Sequence, residues 1–154
     1  MRIFIDTEFS DFVNPELISI GLVAECGEDE FYAELPVDLS RCNNFVLAIV
    51  LPQLCHLPGV LYDRSQLQMR LIEWLNKYEK EAPIIISYDY EGDWILFCDL
   101  IGNDIPEWIS GENIYPYIDP VALHRFFIER KLKDHHALND AKANRYAYTR
   151  SECE

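Results

Sequence analysis

A chain of 154 residues with 49% hydrophobic content is the size of one ordinary domain and can close a core without disulfides, so a single domain over residues 1–154 is expected. Its formal net charge of −14 and pI near 4.5 repel a polyanion at long range, which excludes a processive binder of duplex DNA. Met1 and Arg2 lead straight into a strand-like segment with no basic-then-apolar leader, and no run approaches the ~20 apolar residues of a membrane span, so no membrane or secretory destination is expected.

Taken in chain order, Ile3 to Asp6 reads as a short strand. Leu17 to Val23 and Phe31 to Leu35 follow as two more, joined by the turn-like Cys26-Gly27-Glu28-Asp29 in an antiparallel meander. Asp63 is placed to cap a helix whose apolar residues Leu67, Leu71, Trp74, Leu75 and Tyr78 recur at helical spacing, and Ala82-Pro83 ends it. Pro83 to Ser87 predicts a buried strand, Asp93 the opening of a second helix with Ile95, Leu96, Cys98 and Leu100, and Ile114 to Ile118 a fifth strand. Asp119-Pro120 caps and starts a helix from Val121 to Lys131, and a last helix follows at about Asn139. Three meander strands followed by alternating helices and strands predict an α/β chain, a mixed sheet covered by helices.

Three short segments carry chemistry. Asp6-Thr7-Glu8 ends the first strand, and the period of two puts both carboxylates on one face. Like charges there either reach solvent separately or hold a hard cation between them. Asp93 stands where a strand gives way to a helix, a place that helix capping alone would explain; Asp89, continuing the strand through Ser87-Tyr88-Asp89, competes for the same role. His135-His136-Ala137-Leu138-Asn139-Asp140-Ala141 sets a histidine five residues ahead of an aspartate at a loop-to-helix junction. A base and a cation ligand can share that segment, with His136 the alternative to His135. Each signal is weak singly; their combination in this order is not.

Asp6-Thr7-Glu8, Asp93 at a strand-to-helix junction, and His135 with Asp140 in an HxALxDA pattern resemble the DEDDh exonucleases, the superfamily of DnaQ-like proofreading exonucleases, RNase T and oligoribonuclease. The short chain, the Phe-Val-x-x-x-Val-Leu-Pro-x-Leu segment at Phe45 to Leu54, and Asp93-Trp94 leading into Leu100-Ile101-Gly102 look most like the small bacterial, mycobacterial-type 3′→5′ exoribonuclease branch. The resemblance covers nearly the whole chain. It implies an RNase H-like fold with a five-stranded mixed sheet flanked by helices. It further implies two Mg²⁺ ions, replaceable by Mn²⁺, roughly 4 Å apart on the scissile phosphate. Asp6 would bridge them, Glu8, Asp93 and Asp140 would complete their shells, and His135 would take the proton from the attacking water. Phe9 and Phe12, just past Glu8, either stack on the terminal base or belong to the core.

The implied substrate is single-stranded RNA or a short oligonucleotide, cut from its 3′ end to nucleoside 5′-monophosphates. Two rivals use the same residues: a metal-dependent phosphatase or nucleotide hydrolase, and a non-catalytic nucleic-acid-binding member of the fold. Seven of the thirteen basic residues, Arg125, Arg130, Lys131, Lys133, Lys142, Arg145 and Arg150, fall in the last thirty positions. They read either as a basic rim beside an acidic site or as a solvated helix face. The five cysteines, Cys26, Cys42, Cys55, Cys98 and Cys153, lack ligand spacing and read as buried or incidental thiols of a cytoplasmic protein. A homodimer is expected from the family, with Trp74, Trp94 and Trp108 open to either core or interface.

Overall fold

A computed structural model describes residues 1–102 and 104–149. Five strands, β1 (Arg2–Phe9), β2 (Leu17–Ala24), β3 (Glu30–Glu34), β4 (Ile84–Tyr88) and β5 (Ile109–Asn113), form one sheet in the order β3-β2-β1-β4-β5. The first three pair antiparallel, as the meander predicted, while β4 and β5 add parallel to β1 and to each other. The helices are α1 (Arg64–Asn76), α2 (Glu91–Ile101), α3 (Pro120–Arg130) and α4 (Ala137–Ala147). The mixed sheet flanked by helices is the one expected.

Alternation along β1 sorts the two faces. Ile3 and Ile5 enter the main core with Ile20, Leu22, Ile84 and Ile86, under α1 and α2. Phe4 faces the other way, into a small cluster with Val23, Ile114 and Ala141 of α4. Asp6 and Glu8 continue the Phe4 row, so the strand's own pleat turns them toward α4. The strand is longer than the predicted Ile3 to Asp6, and Glu8 lies within it. β1 and β4 are paired only from Arg2 to Phe4; beyond that the two parallel strands part, leaving a gap at their carboxyl ends.

Several local expectations were met and several were not. Asp63 caps α1 in a reciprocal capping box with Gln66, and Leu67, Leu71, Trp74 and Leu75 are buried as their spacing predicted. Asp119 caps α3, its side chain accepting from the Val121 N–H. The fifth strand, however, is Ile109–Asn113 rather than Ile114 to Ile118. Pro116 has no N–H to give a ladder, and Tyr115–Tyr117 forms a 3-10 turn instead. β5 escaped notice because it is a polar edge strand on which only Ile109 is buried. Helix α2 begins two residues before Asp93, which therefore does not cap it, and α4 starts at Ala137, ahead of Asn139.

None of the four described cysteines is buried: Cys26 and Cys55 are exposed, Cys42 and Cys98 half-buried, and Cys153 lies outside the described residues. Trp74 belongs to the main core, and Trp94 and Trp108 pack against it. Among the described residues no helix is long and apolar enough to cross a membrane.

Candidate active site

The gap between β1 and β4 opens into a cleft of about 530 Å³ that Asp6, Glu8, Asp89, Asp93 and Asp140 all line. Four elements bring these acids together. Asp6 and Glu8 come from β1, Asp89 follows β4 directly, Asp93 is the third residue of α2, and Asp140 sits in the first turn of α4.

Glycine 21 explains how α4 reaches the strand. It pairs with Asp6 across the β1–β2 ladder, and a Cβ there would lie 2.4 Å from the backbone N and Cα of Leu138. The missing side chain lets the start of α4 lie on the sheet beside Asp6. Asp140 is then fixed by the His136 N–H, which donates to its Oδ2 at 2.9 Å. On the opposite side Thr7 holds Asp93, its N–H and Oγ1 both donating to Asp93 Oδ1 at 3.2 and 2.6 Å. Asp89 accepts from Asn144 Nδ2 of α4 at 2.8 Å.

The acids fall into two groups that share Asp6: Asp6, Glu8 and Asp140, and Asp6, Asp89 and Asp93. In each, one carboxylate oxygen per residue lies within 4.8 Å of the others. Asp89 and Asp93, competitors in the sequence, thus both reach the site.

No lysine or arginine lines the cleft among the described residues, so these charges have no internal counterion. Burial raises every one of them, and neighbouring carboxylates add to the rise at Asp6, Glu8, Asp93 and Asp140. Glu8 is pushed up to about 8, with Asp140 and Asp93 as its main neighbours. Asp93 reaches about 7, Thr7 opposing part of the rise, and Asp140 about 7. Asp6, surrounded by the other four, is raised well above the usual carboxylate range, and burial raises Asp89.

Oδ2 of Asp93 is buried with no hydrogen-bond partner among the described residues. Clustered carboxylates without a counterion, one with an orphaned oxygen, suit an oxygen-seeking divalent cation.

The two histidines have different surroundings. His135 lines the cleft from the α3–α4 loop with its side chain 45% exposed, its ring edge-on to Phe45 at 4.8 Å between centroids. Its backbone is left-handed, φ 58°. Gln53 Nε2 donates to the carbonyls of Asp134 and His135 at 2.8 and 3.1 Å. Gln53 ends the 3-10 turn Leu51–Gln53, which follows a wide π-type turn over Val46–Val50. His136 points elsewhere: it stacks on Tyr32 at 4.6 Å, and burial lowers its pKa.

Phe9, Phe12 and Tyr90 make an aromatic cluster at the cleft, Phe9 stacked on Tyr90 at 5.9 Å and edge-on to Phe12 at 5.3 Å. Phe9 also packs against the main core, whereas Phe12 is 72% exposed.

Sequence reading missed Thr7, Phe45 as a neighbour of His135, Gln53, Tyr90 and Asn144 as parts of this site. Asn144 alone left a signal, four residues after Asp140 on the same helical face. Of the basic residues, Lys142 pairs with Glu30 at 2.7 Å and Arg145 donates to the Glu25 carbonyl. Arg125, Arg130, Lys131 and Lys133 are exposed, and Arg150 lies outside the described residues.

No family model matches the chain. Two curated relatives, both named 3′-5′ exoribonuclease, from Mycobacterium tuberculosis strains CDC 1551 / Oshkosh and ATCC 25618 / H37Rv, are each 34% identical over 104 residues. The match spans 66% of this chain and 62% of theirs. Among solved structures, Pop2p of S. pombe in its Mg²⁺ and Mn²⁺ bound form superposes with a TM-score of 0.60 at 12% identity, covering 94% of this chain and 79% of Pop2p. The chain is by sequence a homologue of proteins named 3′-5′ exoribonucleases, and by architecture it has the RNase H-like fold.

Proposed function

We propose that this chain is a divalent-cation-dependent 3′→5′ exoribonuclease of the DEDDh type that releases nucleoside 5′-monophosphates from single-stranded RNA or 3′ overhangs. The observation that carries the reading is the pair of carboxylate groups sharing Asp6 on one cleft, with His135 on the cleft wall.

Asp6 would contribute to both cation positions, with Glu8 and Asp140 on one side and Asp93 on the other. Two Mg²⁺ or Mn²⁺ ions bound there would clamp the scissile phosphate and make water nucleophilic near neutral pH. His135 would accept the proton of the attacking water, a task suited to an imidazole that is neutral at working pH. Phe12, with Phe9 and Tyr90 behind it, would stack on the terminal base without reading its identity.

A volume of about 530 Å³ falls in the ~300–1,000 Å³ range of small-molecule sites, room for a terminal nucleotide rather than a duplex. The names of the curated relatives support RNA as the polymer. A short 3′ end needs few phosphate contacts, so the strongly acidic surface is tolerable. The same reading carries the cytoplasmic setting and the homodimer implied by the resemblance, and light scattering after size exclusion measures the latter directly.

The deciding experiment follows 5′-labelled single-stranded RNA with Mg²⁺ or Mn²⁺. A stepwise ladder shortening from the 3′ end, with nucleoside monophosphates as product, is expected, and both EDTA and Asp6→Ala should abolish it. Release of inorganic phosphate without shortening would assign the site to a phosphatase. Wild-type cutting by Asp6→Ala would remove the mechanism altogether.

A further inference from the structure

We propose that Asp89 is a cation ligand, the third carboxylate of a second metal position formed with Asp6 and Asp93 and held in place by Asn144. The proposal rests on the reading of the cleft as a cation-dependent nuclease site, but it concerns a residue outside the set that the sequence motif supplies. That set gives three acids, Asp6, Glu8 and Asp140, to one side of the cleft. It leaves the other side with Asp6 and Asp93 alone, and Asp89 fills that deficit, its carboxylate within 4.8 Å of both.

The partners of Asp89 fit a ligand better than a structural acid. It does not cap α2, since Tyr90 stands at the N-cap and Asp89 faces α4 instead. Its hydrogen-bond partner is a neutral amide, Asn144, itself only 3% exposed. A buried acid kept for stability would call for an arginine or lysine, and no such residue lines the cleft among the described ones. An amide donor orients one oxygen and leaves the charge intact, as the outer partners of metal-binding carboxylates do.

Asn144 lies one helical turn beyond Asp140, so a single face of α4 would serve both metal positions, one with a ligand and one with the group that orients a ligand.

A second observation points to an occupant. Asp93 is 2% exposed, and while Thr7 satisfies its Oδ1 twice, its Oδ2 is buried without a partner among the described residues. A fully buried acceptor of this kind, in a group of three carboxylates, is the arrangement a hard cation completes. Three carboxylates from the protein also leave fewer places for water than Mg²⁺ prefers, so the position should take Mn²⁺ more tightly than Mg²⁺.

The test needs no substrate. Mn²⁺ binding to the metal-free protein is measured by electron paramagnetic resonance of the free ion, for the wild type, Asp89→Asn, Asn144→Ala and Glu8→Gln. Two ions should bind the wild type. Asp89→Asn should weaken one of them on the order of 100-fold and leave the other unchanged, Asn144→Ala should weaken the same one by about 10-fold, and Glu8→Gln should weaken its neighbour instead. Asp89→Asn preserves shape and removes one of several crowded charges, so its metal-free protein should melt no lower than the wild type. Two ions bound at wild-type affinity by both Asp89→Asn and Asn144→Ala would overturn the proposal and leave the nuclease reading standing. A wild type that binds no Mn²⁺ would overturn both.

Discussion

His135 and His136 are joined by one peptide bond but occupy different environments, and local backbone conformation is the cause. The left-handed turn at His135, braced by Gln53 on its carbonyl, throws that ring into the cleft against Phe45, while His136 returns to extended geometry and lays its ring on Tyr32. Motif spacing points to His135 of the two, but what fixes their different surroundings is not local in sequence, because the bracing residue lies more than eighty positions away. His135→Ala should therefore lower kcat by about 10²- to 10⁴-fold, the usual worth of a positioned base, with Mn²⁺ affinity unchanged. His136→Ala should keep kcat within a few-fold and lose thermal stability, since its backbone N–H still reaches Asp140. Kinetics on single-stranded RNA in saturating Mn²⁺ decides, and the reverse pattern would move the base to His136. Phe9 and Phe12 separate in the same way. Phe12 is mostly exposed, so Phe12→Ala should leave the melting temperature alone and raise KM by an amount corresponding to ~1–3 kcal/mol of lost stacking. Phe9→Ala should also lower stability, because its ring packs on the core. An unchanged KM for Phe12→Ala would remove the base platform from the proposal.

At the scale of elements, strong periodicity was legible and weak edges were not. Helix α1 announced itself through Asp63 and its apolar row, and the meander through two runs of apolar residues around a glycine turn. Strand β5 did not, because an edge strand with one buried residue has no hydrophobic pattern to read. Ile114, apolar and just beyond it, donates its N–H to the Tyr88 carbonyl of β4 at 2.7 Å and is fully buried with Phe4, Val23 and Ala141. The acids were visible as types in order, yet that Asp89 and Asp93 both reach Asp6 depends on where β1 parts from β4, which the sequence pattern does not show. The contact between α4 and β2 is the element-scale feature most directly tied to the site. Gly21→Ala would place a methyl 2.4 Å from the Leu138 backbone, which neither partner can yield without moving the first turn of α4. Overpacking of this sort costs about 1–3 kcal/mol, or roughly 2–4 °C of melting temperature per kcal/mol in a domain of this size. Because Asp140 rides on that turn, cation affinity should fall as well, whereas Ala at an exposed site of α4 would change neither. Thermal unfolding and Mn²⁺ titration of Gly21→Ala measure the two effects, and a wild-type affinity would show that α4 does not carry Asp140 with it.

Across the whole molecule, the acids of the cleft set how stability responds to pH. A carboxyl whose pKa is higher in the folded than in the unfolded protein stabilises the fold fully below its unfolded value of about 4 and loses that contribution as pH rises through its folded value. Asp93 and Asp140 are pushed up to about 7 and Glu8 to about 8, while Asp6 and Asp89 are raised as well. All five act in one direction, and the window runs from about pH 4 to about pH 8. His136 acts in the other: its lowered pKa favours the fold above the ordinary histidine value and opposes it as pH falls through that range. One imidazole is set against five carboxyls, so the metal-free protein should lose melting temperature steadily between about pH 5.5 and about pH 8.5. Divalent cations should reverse the trend. They compete with protons for the same oxygens, so binding releases protons at low pH and meets carboxylates already ionised at high pH. The rise in melting temperature on adding saturating Mn²⁺ should therefore be small at about pH 5.5 and grow toward about pH 8.5. Differential scanning calorimetry with and without Mn²⁺ across this range gives both curves from one protein. A cation-induced gain that did not change with pH would mean that Mn²⁺ binds somewhere other than these carboxylates. A metal-free stability that rose through the window would mean that the acids already have a counterion the cleft does not display.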